Sequence, residues 1–166
     1  YDADPSRNRT FVPSGWTELA WQPDLAFSGF SAGAYRNNAT GEIVVAYTGT
    51  NDKNVDWVNN FLGGTGILTA PQIEQAMLFY QQIKAANPPG TLITFTGHSL
   101  GGGLASLMGV FVDRPAVTFA EAPFELSAKS STVLNSLSQL LQSFNITDSD
   151  FSSYLANPDA AFERRE

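Results

Sequence analysis

The sequence predicts an α/β fold, in which a mostly parallel sheet carries helices on both faces. Short runs rich in β-branched and aromatic residues alternate with longer segments whose apolar residues recur at the helical period. The run TLITFTG is apolar enough to indicate a strand that is covered on both of its faces. The length of 166 residues suits a single domain with one core, which we assign to residues 1–166.

The first third of the chain predicts an N-terminal β-hairpin. Residues 1–15 are polar and contain two prolines, which indicates a loop-rich approach to the core. The stretch at 31–47 has two strand-like runs around a turn-rich centre, Asn37–Gly41. Val55–Leu62 then predicts a short apolar helix, which the glycines of Gly63–Gly66 would end.

The middle of the chain predicts a helix, a strand and a second helix. Pro71–Asn87 carries apolar residues at the 3.6 period, begins with proline and is followed by Pro-Pro-Gly. Thr91–Gly97 predicts the buried strand, and Leu100–Val112 predicts the helix after it.

The last third predicts one more buried strand and one more helix. PAVTFAEA, at 115–122, predicts the strand. One helical face follows, after which the chain becomes polar; its apolar residues are Val133, Leu137, Leu140, Leu141 and Phe144.

Composition excludes several classes of function. The net charge is −7 and no Lys/Arg cluster is present, which argues against nucleic acid or an anionic membrane as a partner. Cysteine is absent, so disulfides and thiolate metal sites are excluded. No apolar run reaches the ~18 residues of a transmembrane helix. Asp52 and Asp56 match no ligand spacing for zinc or calcium, and we expect neither a metal nor a cofactor.

The motif Gly-x-Ser-x-Gly occurs twice, around Ser31 and around Ser99. As a hydrolase nucleophile elbow, this motif requires a strand before the serine and a helix after it. Ser31 is followed within a few residues by a turn, which leaves no room for a helix. Ser99 has a predicted strand before it and a predicted helix after it, with Gly97 and Gly101 allowing strand and helix to approach closely.

Ser99 is therefore the candidate nucleophile, and a structural alternative is a serine that caps the following helix. In an elbow, the main-chain N–H of Leu100 would point to the position of the oxyanion. A second donor usually comes from an earlier loop, for which YTGTND, at 47–52, is the natural candidate.

Two segments resemble the class 3 lipases, the fungal lipase-like α/β-hydrolases. GHSLGGGLASL, at 97–107, is similar to the nucleophile segment of that family, and VVAYTGTNDKNVDWVNN, at 44–60, is similar to its oxyanion segment. The resemblance implies an α/β-hydrolase-like fold with Ser99 as nucleophile and with Thr50 and the Leu100 amide as oxyanion donors. Thr48 stands where the family usually has arginine, and TFAEAPFE replaces its usual Gly-x-Pro-Arg turn.

The resemblance also implies that the segment around Trp57 forms a lid or a wall of the acyl cleft. Its apolar residues would suit acyl chains, although ordinary core packing explains them equally well; they are Val55, Trp57, Val58 and Phe61.

The general base is the missing part of the predicted site. His98 is the chain's one histidine, and its position next to Ser99 disfavours it as the base. We expect His98, like Gly97 and Gly101, to have a structural role beside the nucleophile. The acid has several candidates and no preferred one: Asp113, Glu121, Asp148 and Asp150.

Because the order in this fold is serine, acid, histidine, we expect residues 1–166 to be the N-terminal part of a longer catalytic domain. A C-terminal fragment of the same gene product would then be a partner that carries the histidine and the acid.

The predicted function is a lipase or carboxylesterase that forms an acyl-enzyme on Ser99 and takes an acyl-ester or lipid substrate. The alternative is a catalytically inactive α/β-hydrolase domain that serves as a binding module. We expect the protein to be secreted.

Overall fold

The computed structural model describes residues 12–23, 25, 28–49, 68 and 70–163. The helix predicted at Val55–Leu62 lies outside these residues, as do Thr50 and the predicted lid residues Val55, Trp57, Val58 and Phe61.

The described residues form one five-stranded sheet in which the strands lie side by side in chain order. The two pairings of the first three strands are antiparallel and the next two are parallel, so four of the five strands run in one direction. The strands are β1 (Trp16–Gln22), β2 (Ala32–Asn37), β3 (Ile43–Tyr47), β4 (Ile93–His98) and β5 (Ala116–Phe119).

The predicted hairpin is confirmed as β2 and β3, which pair from Arg36 opposite Ile43 to Ala32 opposite Tyr47. Strand β1 was not predicted. Its sequence, WTELAWQ, shows no regular alternation of apolar and polar residues, and nearly all of its residues are half-buried. Main-chain pairing with β2 holds it in the sheet, and that partner is distant in sequence.

Six helices complete the described part of the chain: α1 (Ala70–Ala85), α2 (Leu100–Phe111), α3 (Glu125–Lys129), α4 (Ser131–Ser143), α5 (Ser149–Ala156) and α6 (Pro158–Glu163). The predicted helices α1, α2 and α4 are present with ends that shift by one or two residues. The other three were not predicted because each is at most eight residues long, too short to display a helical period. The predicted α/β class is confirmed.

The core lies between the sheet and the helices, and α2 is its centre. All 12 residues of α2 are buried. On β4, the ring of Phe95 contacts Tyr47 and Tyr80, with centroid distances of 5.8 and 5.4 Å. These ring contacts pack helix α1 against β3 and β4.

Strand β5 differs from its prediction. It was expected to be buried, but Val117 and Phe119 are 54% and 60% exposed. The reason is its place at the edge of the sheet within the described residues, where it pairs with β4 alone. The same part of the chain contains no helix that is long and apolar enough to cross a bilayer.

Candidate active site

Ser99 lies at the junction of β4 and α2, at the carboxyl end of the parallel strands. Its backbone has φ 56° and ψ −124°, in the left-handed half of dihedral space that residues with a side chain rarely occupy. Such a conformation costs about 1–3 kcal/mol and persists only where surrounding contacts enforce it. The side chain is exposed. The geometry is that of a strained strand-to-helix turn that presents a hydroxyl to solvent.

Three main-chain hydrogen bonds fix this turn. The N–H of Ser99 donates to the carbonyl oxygen of Phe119 at 3.0 Å. The carbonyl oxygen of Ser99 accepts from the N–H groups of Gly103 and Ala122, both at 3.0 Å. Helix α2 and the segment after β5 therefore hold Ser99 from two sides.

Close main-chain contacts explain the glycines that flank the serine. A Cβ on Gly97 would lie 2.2 Å from the carbonyl oxygen of Gly101. A Cβ on Gly101 would lie 2.2 Å from the carbonyl oxygen of Tyr47, at the end of β3. Neither approach is possible for a residue with a side chain, so both glycines are structural requirements of the turn.

The side chain of Ser99 does not cap α2. Although Ser99 occupies the N-cap position, its hydroxyl makes no capping hydrogen bond to the first turn of the helix. The alternative explanation of this serine as a helix cap is therefore wrong. The N–H of Leu100 belongs to the first helical residue, which has no acceptor within the helix, so it can serve as an oxyanion donor.

The loop that leaves β3 reaches Ser99. A Cβ on Gly49 would lie 3.0 Å from the carbonyl oxygen of His98 and 3.8 Å from the Cβ of Ser99. Thr50 follows Gly49 directly in the chain and lies outside the described residues. Its role as second oxyanion donor stays a prediction.

His98 is the last residue of β4 and pairs with Phe119 of β5. Its side chain is exposed within the described structure. Neighbouring residues at the end of a strand project differently, so adjacency in sequence does not place the His98 ring on the Ser99 hydroxyl. Its structural role stays a prediction.

Three of the four acid candidates lie at the wrong end of the sheet. Asp148 bonds to Gln81 and Lys84 near the end of α1, and Asp150 contacts Arg114, directly before β5. These groups, with Asp113 beside Arg114, lie at the amino ends of the parallel strands, whereas Ser99 lies at their carboxyl ends.

Glu121 is the exception among the four. It follows the carboxyl end of β5, and a Cβ on Gly102 would lie 3.0 Å from its Cα. Within the described ranges, no group of three or more His, Cys, Asp or Glu side chains could hold a metal ion.

The decisive comparison covers most of the chain. The profile of the Tle-like phospholipase domain, in the phospholipase-like class, matches residues 9–155. The chain belongs to the Tle-like phospholipase family. The expected lipase-like family is thereby confirmed.

Individual relatives of this Tle-like domain are lipolytic proteins by name. The extracellular phospholipase A1 of Serratia liquefaciens is 41% identical over 97 residues, which are 58% of this chain and 28% of that protein. The putative lipase ATG15 of Kluyveromyces lactis is 53% identical over 55 residues, 32% of this chain and 10% of that protein. The corresponding protein of Candida albicans is 52% identical over 56 residues, 32% and 9% of the two chains. The Tle-like domain thus spans under a third of the length of each.

Ser31, the serine of the other Gly-x-Ser-x-Gly motif in this Tle-like domain, has a different environment from Ser99. Ser31 is buried at 6% exposure, precedes strand β2, and donates its hydroxyl hydrogen to the carbonyl oxygen of Gln22 at 3.0 Å. Its carbonyl oxygen accepts from the N–H of Thr48 at 3.0 Å. Ser31 therefore joins β1 to the end of β3 and presents no free hydroxyl.

The segment that holds Ser99 from the side of β5 was not predicted from the sequence. The carbonyl of Phe119 and the N–H of Ala122 are main-chain groups and carry no residue-type signal. Ser106 and Thr118, which bond to Glu121, were not singled out either. Ser106 lies on α2, 15 residues before Glu121, and the bond from Thr118 depends on the turn that follows β5, so no hydrophobic periodicity reveals either contact.

Proposed function

We propose that this protein is a lipolytic ester hydrolase that cleaves the acyl ester of a phospholipid, with Ser99 as its nucleophile. The observation that carries the proposal is the exposed Ser99 on a turn with φ 56° between strand β4 and the buried helix α2. Membership in the Tle-like phospholipase family and the phospholipase A1 relative support the choice of substrate.

The proposed reaction proceeds in two steps. The Ser99 oxygen attacks the ester carbonyl carbon while a general base takes the hydroxyl proton. The tetrahedral intermediate collapses, the proton passes to the leaving alkoxide, and the lysophospholipid departs. Water then attacks the acyl-enzyme with the help of the same base, which releases the fatty acid and restores Ser99.

Two donors would stabilise the oxyanion of each tetrahedral intermediate. One is the N–H of Leu100, at the positive end of α2. The other is Thr50, whose neighbour Gly49 lies beside Ser99. The pairing is supported by the approach of the β3 loop to the elbow, and each donor of this kind contributes roughly 10²–10³ in kcat.

The base is proposed to be a histidine outside these 166 residues. His98 is the only histidine of the chain and is the immediate neighbour of Ser99. A C-terminal segment of the same gene product would carry the histidine and the acid. The same observation favours the second candidate function, an inactive hydrolase domain that binds a partner or lipid.

Labelling with a fluorophosphonate separates the two functions. The full-length protein should hydrolyse phospholipid in mixed micelles and should gain one phosphonate on Ser99, identified by peptide mass. Ser99→Ala should lose both the hydrolysis and the labelling. Ser31→Ala should keep the same labelling per folded molecule, because the Ser31 hydroxyl is hydrogen-bonded to the carbonyl oxygen of Gln22. Full-length protein that folds but neither reacts nor hydrolyses would favour the binding module.

Secretion is proposed from the S. liquefaciens relative, which is named as extracellular. When a culture of the native host is separated into cells and medium, phospholipase activity should be found in the medium. A strain that carries Ser99→Ala should lack this activity. Confinement of the protein to the cells would contradict this proposal.

A further inference from the structure

We propose that Glu121 is a positioning residue for the nucleophile: its carboxylate fixes the segment 119–122, whose main chain holds Ser99 in its strained conformation. The inference rests on the proposed function of Ser99 and adds a residue to it that does not touch the substrate.

The segment 119–122 contacts both main-chain groups of the nucleophile. The carbonyl oxygen of Phe119 accepts from the N–H of Ser99, and the N–H of Ala122 donates to the carbonyl oxygen of Ser99, each at 3.0 Å. Between these two bonds lie only Ala120 and Glu121. A displacement of this short segment therefore acts directly on the peptide groups that set the φ and ψ of Ser99.

The segment is itself strained. Ala120 has φ 45°, a left-handed conformation that a residue with a Cβ adopts only under constraint. Ser99 and the segment that binds it thus each contain a left-handed residue, Ser99 itself and Ala120, and two main-chain hydrogen bonds join them. Because each would relax to a commoner conformation if freed, further contacts must keep them in place.

The carboxylate of Glu121 supplies such a contact. Its Oε2 accepts a hydrogen bond from the hydroxyl of Thr118, on β5, at 2.7 Å. The same oxygen accepts from the hydroxyl of Ser106, on α2. Ser106 is 8% exposed, so one end of this bridge is anchored in the buried helix that begins at the nucleophile. Glu121 therefore ties the strained segment to both β5 and α2.

The main chain of the segment 119–122 packs directly against the main chain of α2. A Cβ on Gly102 would lie 3.0 Å from the Cα of Glu121, and a Cβ on Gly103 would lie 2.7 Å from the carbonyl oxygen of Ala122. The first turn of α2 thus rests directly on the segment, with no side chain between them. Because this packing is close and incompressible, a shift of the segment displaces Ser99 as well.

The functional consequence concerns the chemical step rather than substrate binding. A displacement of the nucleophile by a fraction of an ångström lowers the rate of attack strongly, because the reacting atoms must be held in a near-attack geometry. The contacts that the structure gives the Glu121 carboxylate are the hydrogen bonds from Thr118 and Ser106, which act on the position of the segment. Loss of this carboxylate should therefore lower kcat and leave KM nearly unchanged.

The test compares Glu121→Ala and Glu121→Gln in the full-length protein, with Glu125→Ala as the matched control. Glu125 is an exposed glutamate in the first turn of α3, four residues further along the chain. Glu121→Ala should lower kcat on phospholipid micelles, and the rate of Ser99 phosphonylation, by about tenfold to a hundredfold. Glu121→Gln keeps a carbonyl acceptor for both hydroxyls and should recover most of the rate. Glu125→Ala should match the wild type.

Amide hydrogen exchange gives a readout that does not depend on turnover. In Glu121→Ala, the N–H of Ala122 should exchange about tenfold faster than in the wild type, whereas amides in the middle of α2 should be unchanged. Thr118→Val, which removes one hydroxyl donor without a change of shape, should show the same defect to a smaller degree. Combined with Glu121→Ala, it should add nothing further.

The outcomes separate the inference from the proposed function. A wild-type protein whose Ser99 is inert overturns the proposed function. An active wild type whose Glu121→Ala variant keeps its kcat and its Ala122 protection overturns the positioning role alone. An equal loss of rate in Glu121→Gln and Glu121→Ala also overturns it, because the bridge requires only an acceptor.

Discussion

Gly101 lies so close to strand β3 that a Cβ on it would be 2.2 Å from the carbonyl oxygen of Tyr47. Tyr47 is itself fixed, because its hydroxyl donates to the carbonyl oxygen of Ala76 in α1 at 3.1 Å and its ring stacks on Phe95. The first turn of α2 therefore packs directly against the end of β3, which the contacts of Tyr47 hold in place. The strand-to-helix turn at Ser99 therefore depends on this contact.

Gly101→Ala should consequently destabilise the protein by about 3 kcal/mol or more, because a methyl group would have to displace main chain rather than a flexible side chain. Chemical unfolding monitored by circular dichroism would measure the loss. Gly102→Ala is the graded control: the nearest atoms to its Cβ would be at 3.0 Å, so its cost should be smaller. Equal stability of Gly101→Ala and the wild type would contradict the packing described here.

The strain at Ser99 predicts that glycine at this position gives a more stable protein than alanine does. Ser99→Gly removes the Cβ that disfavours φ 56° and should be more stable than Ser99→Ala by about 1 kcal/mol. Both variants lack the hydroxyl, so both should be unreactive toward phosphonate. Thermal unfolding of the two side by side checks the order. A less stable glycine variant would show that the backbone at this position is unstrained.

Asp148 should make stability depend on acid pH. Its side chain is fully buried. The carboxylate accepts from Lys84 at 2.7 Å and Gln81 at 2.8 Å, and it caps α5 by accepting from the N–H of Phe151 at 3.0 Å. Burial alone would raise the pKa of Asp148, but these hydrogen bonds and the charge of Lys84 together lower it below its ordinary value. The folded state therefore binds its proton less readily than the unfolded state, and stability is lost as pH falls below about 4.

Asp148→Asn should lower the free energy of unfolding by about 2 kcal/mol at pH 7, a modest value because Lys84 is 35% exposed. The difference from the wild type should shrink as the pH is lowered through the folded pKa, where the wild-type carboxyl is protonated as well. Urea unfolding between pH 7 and pH 2 measures it. Asp159→Asn, at an ion pair with 79% exposure, should change stability by less than about 0.5 kcal/mol at any pH. A difference that does not vary with pH would show that the charge of Asp148 is unimportant.

The strands and helices with strong local signals were predicted from sequence. The hairpin of β2 and β3, strand β4, and helices α1, α2 and α4 all carry periodic hydrophobic patterns or turn residues. Strand β1 and the helices α3, α5 and α6 carry none that a short window can display. Their positions depend on partners elsewhere in the chain, such as the pairing of β1 with β2 and the bond from Tyr154 of α5 to Ala128 of α3.

The sequence also favoured Ser99 over Ser31 as the candidate nucleophile, because an elbow needs a helix after the serine. The structure has a helix after Ser99 and a strand after Ser31. Sequence could not rank the four acid candidates, since Asp113, Asp148 and Asp150 differ from Glu121 in the end of the sheet at which they lie. The end of the sheet at which each carboxylate lies is set by the parallel pairing of β3, β4 and β5 in the folded protein.

The sequence by itself determined the α/β class, the candidate nucleophile and the glycines around it, because each rests on the periodicity or residue types of a contiguous stretch. Only the tertiary structure decided that Ser99 is strained, that its hydroxyl caps nothing, and that the segment containing Glu121 holds it. The physical reason is that these properties belong to hydrogen bonds between main-chain groups about 20 residues apart, which any residue type can make. Such bonds form only after β4, β5 and α2 have packed together.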